Sequence, residues 1–218
     1  MFAAALALVR GGCAGAEDLP SSETREGGSP RRQAWRIETK PARCNVGERP
    51  GYFVPGPVDG RLALLGCARL GVSGKRVEFS GDLGDIDGER SACINPAYSG
   101  RGQRGLYIPA ICALEPPLSR FAVRDAAQPR QGVRGYGLVI WGTAGVSTEV
   151  VARFTGGTAR ALIITVTPEL ARNLGEQPFS LFVLELPLSA ACAAVTVAGN
   201  GSGTTERIPT RARLCARA

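Results

Sequence analysis

A mainly β fold, an antiparallel sandwich stapled by disulfides, is the class this sequence predicts, on three observations. Short apolar runs rich in β-branched and aromatic residues recur at regular spacing through the C-terminal half. The 29 glycines and 15 prolines punctuate the chain at short intervals, which suits strands joined by turns better than long helices. Apart from Cys13, the cysteines are widely spaced and none forms a C-x-x-C pair, as in a disulfide framework rather than a metal site.

In chain order, residues 1–16 read as an export leader. The apolar run Phe2 to Val9 precedes Ala14-Gly15-Ala16, whose small side chains suit a cleavage site. No basic residue precedes the run, Arg10 interrupts it, and it is too short to span a bilayer. Cys13, after two glycines, offers lipid attachment as a minor alternative. Residues 17–34 are polar and contain Ser, Gly and Pro without apolar periodicity, which predicts a disordered linker.

Residues 35–130 form a cysteine-bearing region that opens on Trp35. RLALLGCARL (61–70) and KRVEF (75–79) read as strands separated by Gly-Val-Ser-Gly. LYIPAI (106–111) has strand residues, but Pro109 confines it to an edge or a bulge. NPAYSGRGQRG is expected to owe its order to Cys93 and Cys112 on either side.

Residues 131–218 carry the clearer pattern, as a separate sandwich or as one continuous domain with 35–130. YGLVIWGTA, EVVARF, ARALIITV, FSLFVLEL and AAVTVA read as strands. Val150, Ala152 and Phe154 alternate with Val151 and Arg153, and Leu162, Ile164 and Val166 share one face. NGSG (200–203) supplies a hairpin turn. One short helix is predicted: Thr167 caps it, Pro168 starts it, Glu169 suits its positive end and Gly175 stops it. With at most one or two such helices, the sandwich is expected to be immunoglobulin-like, fibronectin-III-like or jelly-roll-like.

The remaining cysteines, Cys44, Cys67, Cys93, Cys112, Cys192 and Cys215, permit many connectivities. Pairing sequential neighbours is the simplest expectation. Each bridge then closes a loop of about twenty residues and contributes roughly 3 kcal/mol.

The chain has no histidine, which excludes Ser-His-Asp and Cys-His catalysis, histidine-ligated zinc and imidazole proton shuttling. RLGVSGKR lacks phosphate-loop spacing and has Arg76 where Ser or Thr would hold magnesium. GTAGVSTE lacks the nucleophile elbow, and no base activates Ser147. Asn200 heads a formal glycosylation sequon that its turn role already explains. No catalytic residue is therefore expected.

The basic residues are 24 Arg and 2 Lys (26 in all, of which Lys40 and Lys75 are the lysines), and the net charge is +7. Such a bias points first to GC-rich coding. The charges are spread without interleaved aromatics, so nucleic acid is not an expected partner, and no segment is long enough for a membrane span. Arg207, Arg211, Arg213 and Arg217 read as a solvated basic surface, open to weak attraction by anionic envelope polymers or lipid headgroups.

The most chemical-looking segment is GDLGDIDGER (81–90), whose carboxylates Asp82, Asp85, Asp87 and Glu89 could contribute to a calcium site. An EF-hand does not fit, because aligning Gly88 as its invariant glycine puts Leu83 at the first ligand. No other cofactor is expected. A carboxylate-pair hydrolase would need two of these acids across a cleft. The favoured reading is a solvated turn after KRVEF, its charge offset by Arg90, Arg101 and Arg104.

The order VSTEVVARFTGGTARALIITV … FSLFVLELPLSAACAAVTVAGNGSGTTERIP, roughly residues 145–209, resembles a pattern of secreted proteins from GC-rich actinobacteria. The resemblance implies a β-sandwich repeat and an actinobacterium-like source, and it carries over no catalytic residue. The expected function is a non-catalytic secreted or cell-surface protein with a structural or binding role. Its partner would be an envelope polymer or another protein. The alternatives are a calcium-stabilised adhesive module or a carboxylate-dependent glycan hydrolase built on residues 81–90.

Overall fold

The computed structural model describes residues 34–50, 61–86, 88–100, 103–107, 111–112, 117–129 and 135–216. The expected leader, Cys13 and the linker up to residue 33 lie outside them, as do Asp87, Arg101, Pro109 and Arg217. The described residues fall within one unit, Ala34–Ala218.

Among the described residues the strands are β1 (Trp35–Glu38), β2 (Lys40–Pro41), β3 (Gly47–Pro50), β4 (Arg61–Arg69), β5 (Arg76–Ile86), β6 (Glu89–Gly100), β7 (Gln103–Tyr107) and β8 (Phe121–Ala127). They continue as β9 (Leu138–Ala144), β10 (Val150–Phe154), β11 (Gly157–Arg160), β12 (Leu162–Thr165), β13 (Ser180–Leu186), β14 (Val195–Gly199) and β15 (Thr205–Ile208). Two short helices, α1 (Pro168–Asn173) and α2 (Ala212–Cys215), and a 3-10 turn (Leu188–Cys192) complete the set.

The fold is mainly β and forms three sheets. The first runs β1-β11-β10-β14-β15, the second β12-β13-β9-β8, and the third β2-β4-β5-β6-β7 with β3 also paired to β4. Pairing is antiparallel throughout the described ladders except for β1 beside β11.

Period-two alternation explains how the sheets stack. Along β13, Leu181 and Val183 join one apolar cluster with Phe79 and Ile94 of the third sheet, whereas Phe182, Leu184 and Leu186 join another with Ala152 and Val197 of the first. Likewise on β9, Val139 and Trp141 face the first cluster while Leu138 and Ile140 face the second. The second sheet is therefore the middle layer of the sandwich, apolar on both faces, and this is why FSLFVLEL and GLVIWGTA read as nearly unbroken apolar runs.

The segment ARALIITV is one run in sequence but two strands in space. β11 belongs to the outer sheet and β12 to the middle one, with the crossing at Ala161. Alternation continues through the crossing: Ala159 and Ala161 face one cluster, and Leu162, Ile164 and Val166 the other. Helix α1 follows as its caps dictate. The Thr167 hydroxyl accepts from Leu170 N, Pro168 and Glu169 fill the first turn, and Gly175 takes φ +72° just beyond Leu174.

Disulfides join Cys44 to Cys67, Cys93 to Cys112 and Cys192 to Cys215, the sequential pairing. They fasten the segment after β2 to β4, the segment beyond β7 to β6, and the 3-10 turn to α2.

Two expectations need correction. NPAYSG is not loop held only by its cysteines, because Glu89–Gly100 is one continuous strand. Pro96 is tolerated there because Ile94 exchanges both backbone bonds with Ile111 on the far side of β6 from β5. Two residues on, the proline nitrogen points the same way, so its missing donor breaks no bond to β5. The acidic stretch is likewise not a turn after KRVEF. Residues 81–86 prolong β5, and the Ile86–Glu89 pair closes a two-residue link in which Gly88 has φ +86°.

Candidate functional site

The acidic hairpin was the first place to seek chemistry, and the structure gives its described acids separate surroundings. Asp82 is buried in β5, opposite Cys93, and its Oδ1 accepts from Asn95 Nδ2 at 3.2 Å. Burial pushes its carboxyl above the usual 3.8, against the lowering effect of that hydrogen bond. Glu89 is exposed at the start of β6. Asp85 lies on β5 opposite Arg90 by register; its side chain, and all of Asp87, fall outside the described residues. Gly81 and Gly84 serve close packing: a Cβ at 81 would meet Leu174 and Leu65, and one at 84 would strike the Cys93–Cys112 bridge. Among the described residues no three potential metal ligands converge.

Among the described residues, the carboxylate with the most hydrogen bonds is one the sequence did not single out. Glu185 is 0% exposed in the middle sheet. Its Oε2 accepts from Val72 N (3.0 Å), Ser73 N (2.7 Å) and Ser73 Oγ (2.9 Å), and its Oε1 accepts from Gly137 N (2.7 Å). It thus ties the β4–β5 turn to the start of β9. Beside it, Tyr136 donates to Arg76 O at 3.2 Å, stacks edge-on against Tyr98, and lies under the Lys75 ammonium at 4.6 Å. Glu206 accepts from Val123 N, and Asp125 from its neighbour Ala126 N. Each of these acids holds backbone in place.

Unneutralised charge gathers on the outward face of the first sheet. Its inward positions, such as Ile37, Ala159, Ala152 and Val197, are buried, so alternate positions face out. The register aligns five of them across the strands: Arg36 beside Thr158, Thr158 beside Arg153, Arg153 beside Thr196, and Thr196 beside Arg207. Arg36, Arg153 and Arg207 are exposed, and none is in a salt bridge among the described residues. They occupy alternate strands and recur at about 10 Å, twice the strand spacing. The adjacent row, Glu38-Arg160-Val151-Ala198-Thr205, carries no such excess, because Arg160 donates to Glu149 at 2.8 Å and Glu38 supplies an opposite charge.

Of the C-terminal arginines singled out in the sequence, only Arg207 lies on this row; Arg211 and Arg213 are exposed at α2. Arg36 and Arg153 carried no local signal, since only the ladder register brings them into line with Arg207.

Fold and face together define a mainly β, disulfide-stapled sandwich with a row of three exposed arginines on one outer sheet. No family model, curated protein or solved structure matches the chain. No helix among the described residues is long and apolar enough to cross a membrane.

Proposed function

We propose that the chain is an exported, disulfide-stapled β-sandwich of the cell surface or surroundings that binds an anionic partner rather than transforming it. The observation that carries this reading is the row of three exposed arginines on the first sheet, free of carboxylate partners among the described residues. Guanidinium forks held on a rigid sheet suit carboxylate or phosphate recognition. Three disulfides suit an oxidising compartment. The lack of histidine and the structural engagement of Glu185, Asp82, Glu206 and Asp125 support binding over catalysis.

The test is a turnover panel of glycans, esters and peptides with the purified full chain. No turnover is expected. Hydrolysis of any member that persists through purification and is lost in Asp82→Asn or Asp85→Asn would replace this reading with the hydrolase.

A further inference from the structure

We infer that the partner of the arginine face is a linear acidic polysaccharide lying across the strands along the Arg36-Thr158-Arg153-Thr196-Arg207 row. The inference rests on the reading of that face as a binding surface. Its first support is dimensionality. On the outward face of the first sheet, open charge lies along one line among the described residues, because the next row contains Glu38 and the Glu149-paired Arg160. A bilayer surface would be matched by charge spread in two dimensions, whereas a single line matches a chain.

The second support is alternation. Between successive arginines stands a threonine, Thr158 and then Thr196, whose hydroxyl both donates and accepts. A repeating cation–hydroxyl–cation pattern is complementary to a polymer that presents acid groups at intervals with hydroxyls between them. An extended polyuronate in a two-fold conformation turns every second carboxylate to one side, which suits arginines on every second strand.

The third support discriminates against single-stranded nucleic acid, which needs aromatic platforms for its bases. Every residue on the row is Arg or Thr. Trp35, 58% exposed, begins β1 at the parity of inward-facing Ile37 and so belongs to the other face.

The experiment is calorimetric titration of the full chain with oligogalacturonate of defined length, alongside neutral dextran, duplex DNA and vesicles containing anionic lipid. Oligogalacturonate is expected to bind and dextran to fail. Arg153→Gln, at the centre of the row, should weaken binding about fivefold, and Arg153→Lys less, because it keeps the charge and loses the fork. The triple variant Arg36→Gln, Arg153→Gln, Arg207→Gln should abolish binding at an unchanged melting temperature. Arg172→Gln removes the same charge from exposed α1 and should change affinity less than about twofold. Equal losses for Arg172→Gln and Arg153→Gln would reduce the effect to net charge and overturn the inference. Tighter binding of DNA or vesicles, lost in the triple variant, would overturn the polysaccharide while keeping the face as a binding surface. If the triple variant binds every anionic probe as the parent does, the face itself is removed as a site.

Discussion

Replacing Glu185 should destabilise the sandwich more than any other single carboxylate change among the acids described above. The side chain is 0% exposed and receives four hydrogen bonds, three of them from backbone N–H groups. In Glu185→Ala the Gly137 N–H is left buried without an acceptor, at a cost of about 1–3 kcal/mol. Val72 is 40% exposed, so water can reach the turn and partly replace the bonds to Val72 and Ser73. The sum is about 3–5 kcal/mol, the range for breaking one side of a buried charged network. In Glu185→Gln the amide oxygen can still accept from the turn, but its NH2 then meets the Gly137 N–H, donor against donor. That variant should lose about 2 kcal/mol. Urea unfolding with disulfides intact, followed by fluorescence of the fully buried Trp141, measures both. For a chain of this size the alanine variant's melting temperature should fall by roughly 6–20 °C. A loss under about 1 kcal/mol for alanine, or equal losses for alanine and glutamine, would refute the role given to these four bonds.

Opening Cys192–Cys215 by a double serine substitution frees a loop with a separation of 23 residues, and should cost about 3 kcal/mol in urea unfolding. Asp82→Asn should gain on the parent protein as pH rises. The folded carboxyl titrates above the unfolded value of 3.8, so the parent's stability falls as pH climbs from about that value through the raised one, and the paired denaturation curves should diverge over that window. Gly142→Ala places a Cβ against the Ala122 carbonyl and the Phe182 ring, contacts that backbone cannot relieve cheaply. It should destabilise by about 3 kcal/mol or more, read as a shifted urea midpoint.

The strands of the middle sheet were legible because both faces of β9 and β13 are buried, which leaves an apolar run that no loop would carry. Helix α1 was legible from Thr167, Pro168 and Gly175, whose roles are local. The assignment of strands to sheets was not. ARALIITV keeps period two through Ala161, so nothing in its pattern marks the passage from one sheet to the next. The acidic stretch misled because its glycines imitate a turn; Gly81 and Gly84 instead make room for Leu174 and for a disulfide. Asp-Gly at 87–88, a strong two-residue hairpin signal, was the cue that would have placed the turn correctly. Glu185 sits inside a strand-like run, and only its partners 112 and 113 residues away reveal what it does.

The two outer sheets solve the same problem differently, and the contrast argues for where binding falls. On the third sheet, several charged and polar groups pair with one another. Arg76 pairs with Glu78 at 2.5 Å, Asn95 donates to Asp82, and the Ser80 hydroxyl donates to the Asn95 carbonyl at 3.5 Å. A charged partner that reached these groups would first have to displace an existing contact. On the first sheet Arg36, Arg153 and Arg207 stand exposed on one row, with threonines rather than acids as their cross-strand neighbours. Like charges at about 10 Å repel only weakly across water, so the row is tolerated without a partner. An incoming anion displaces only water. The arginine row, aligned by register and without carboxylate partners among the described residues, is thus a surface on which the proposed polyanion has charge to gain and no contact to break.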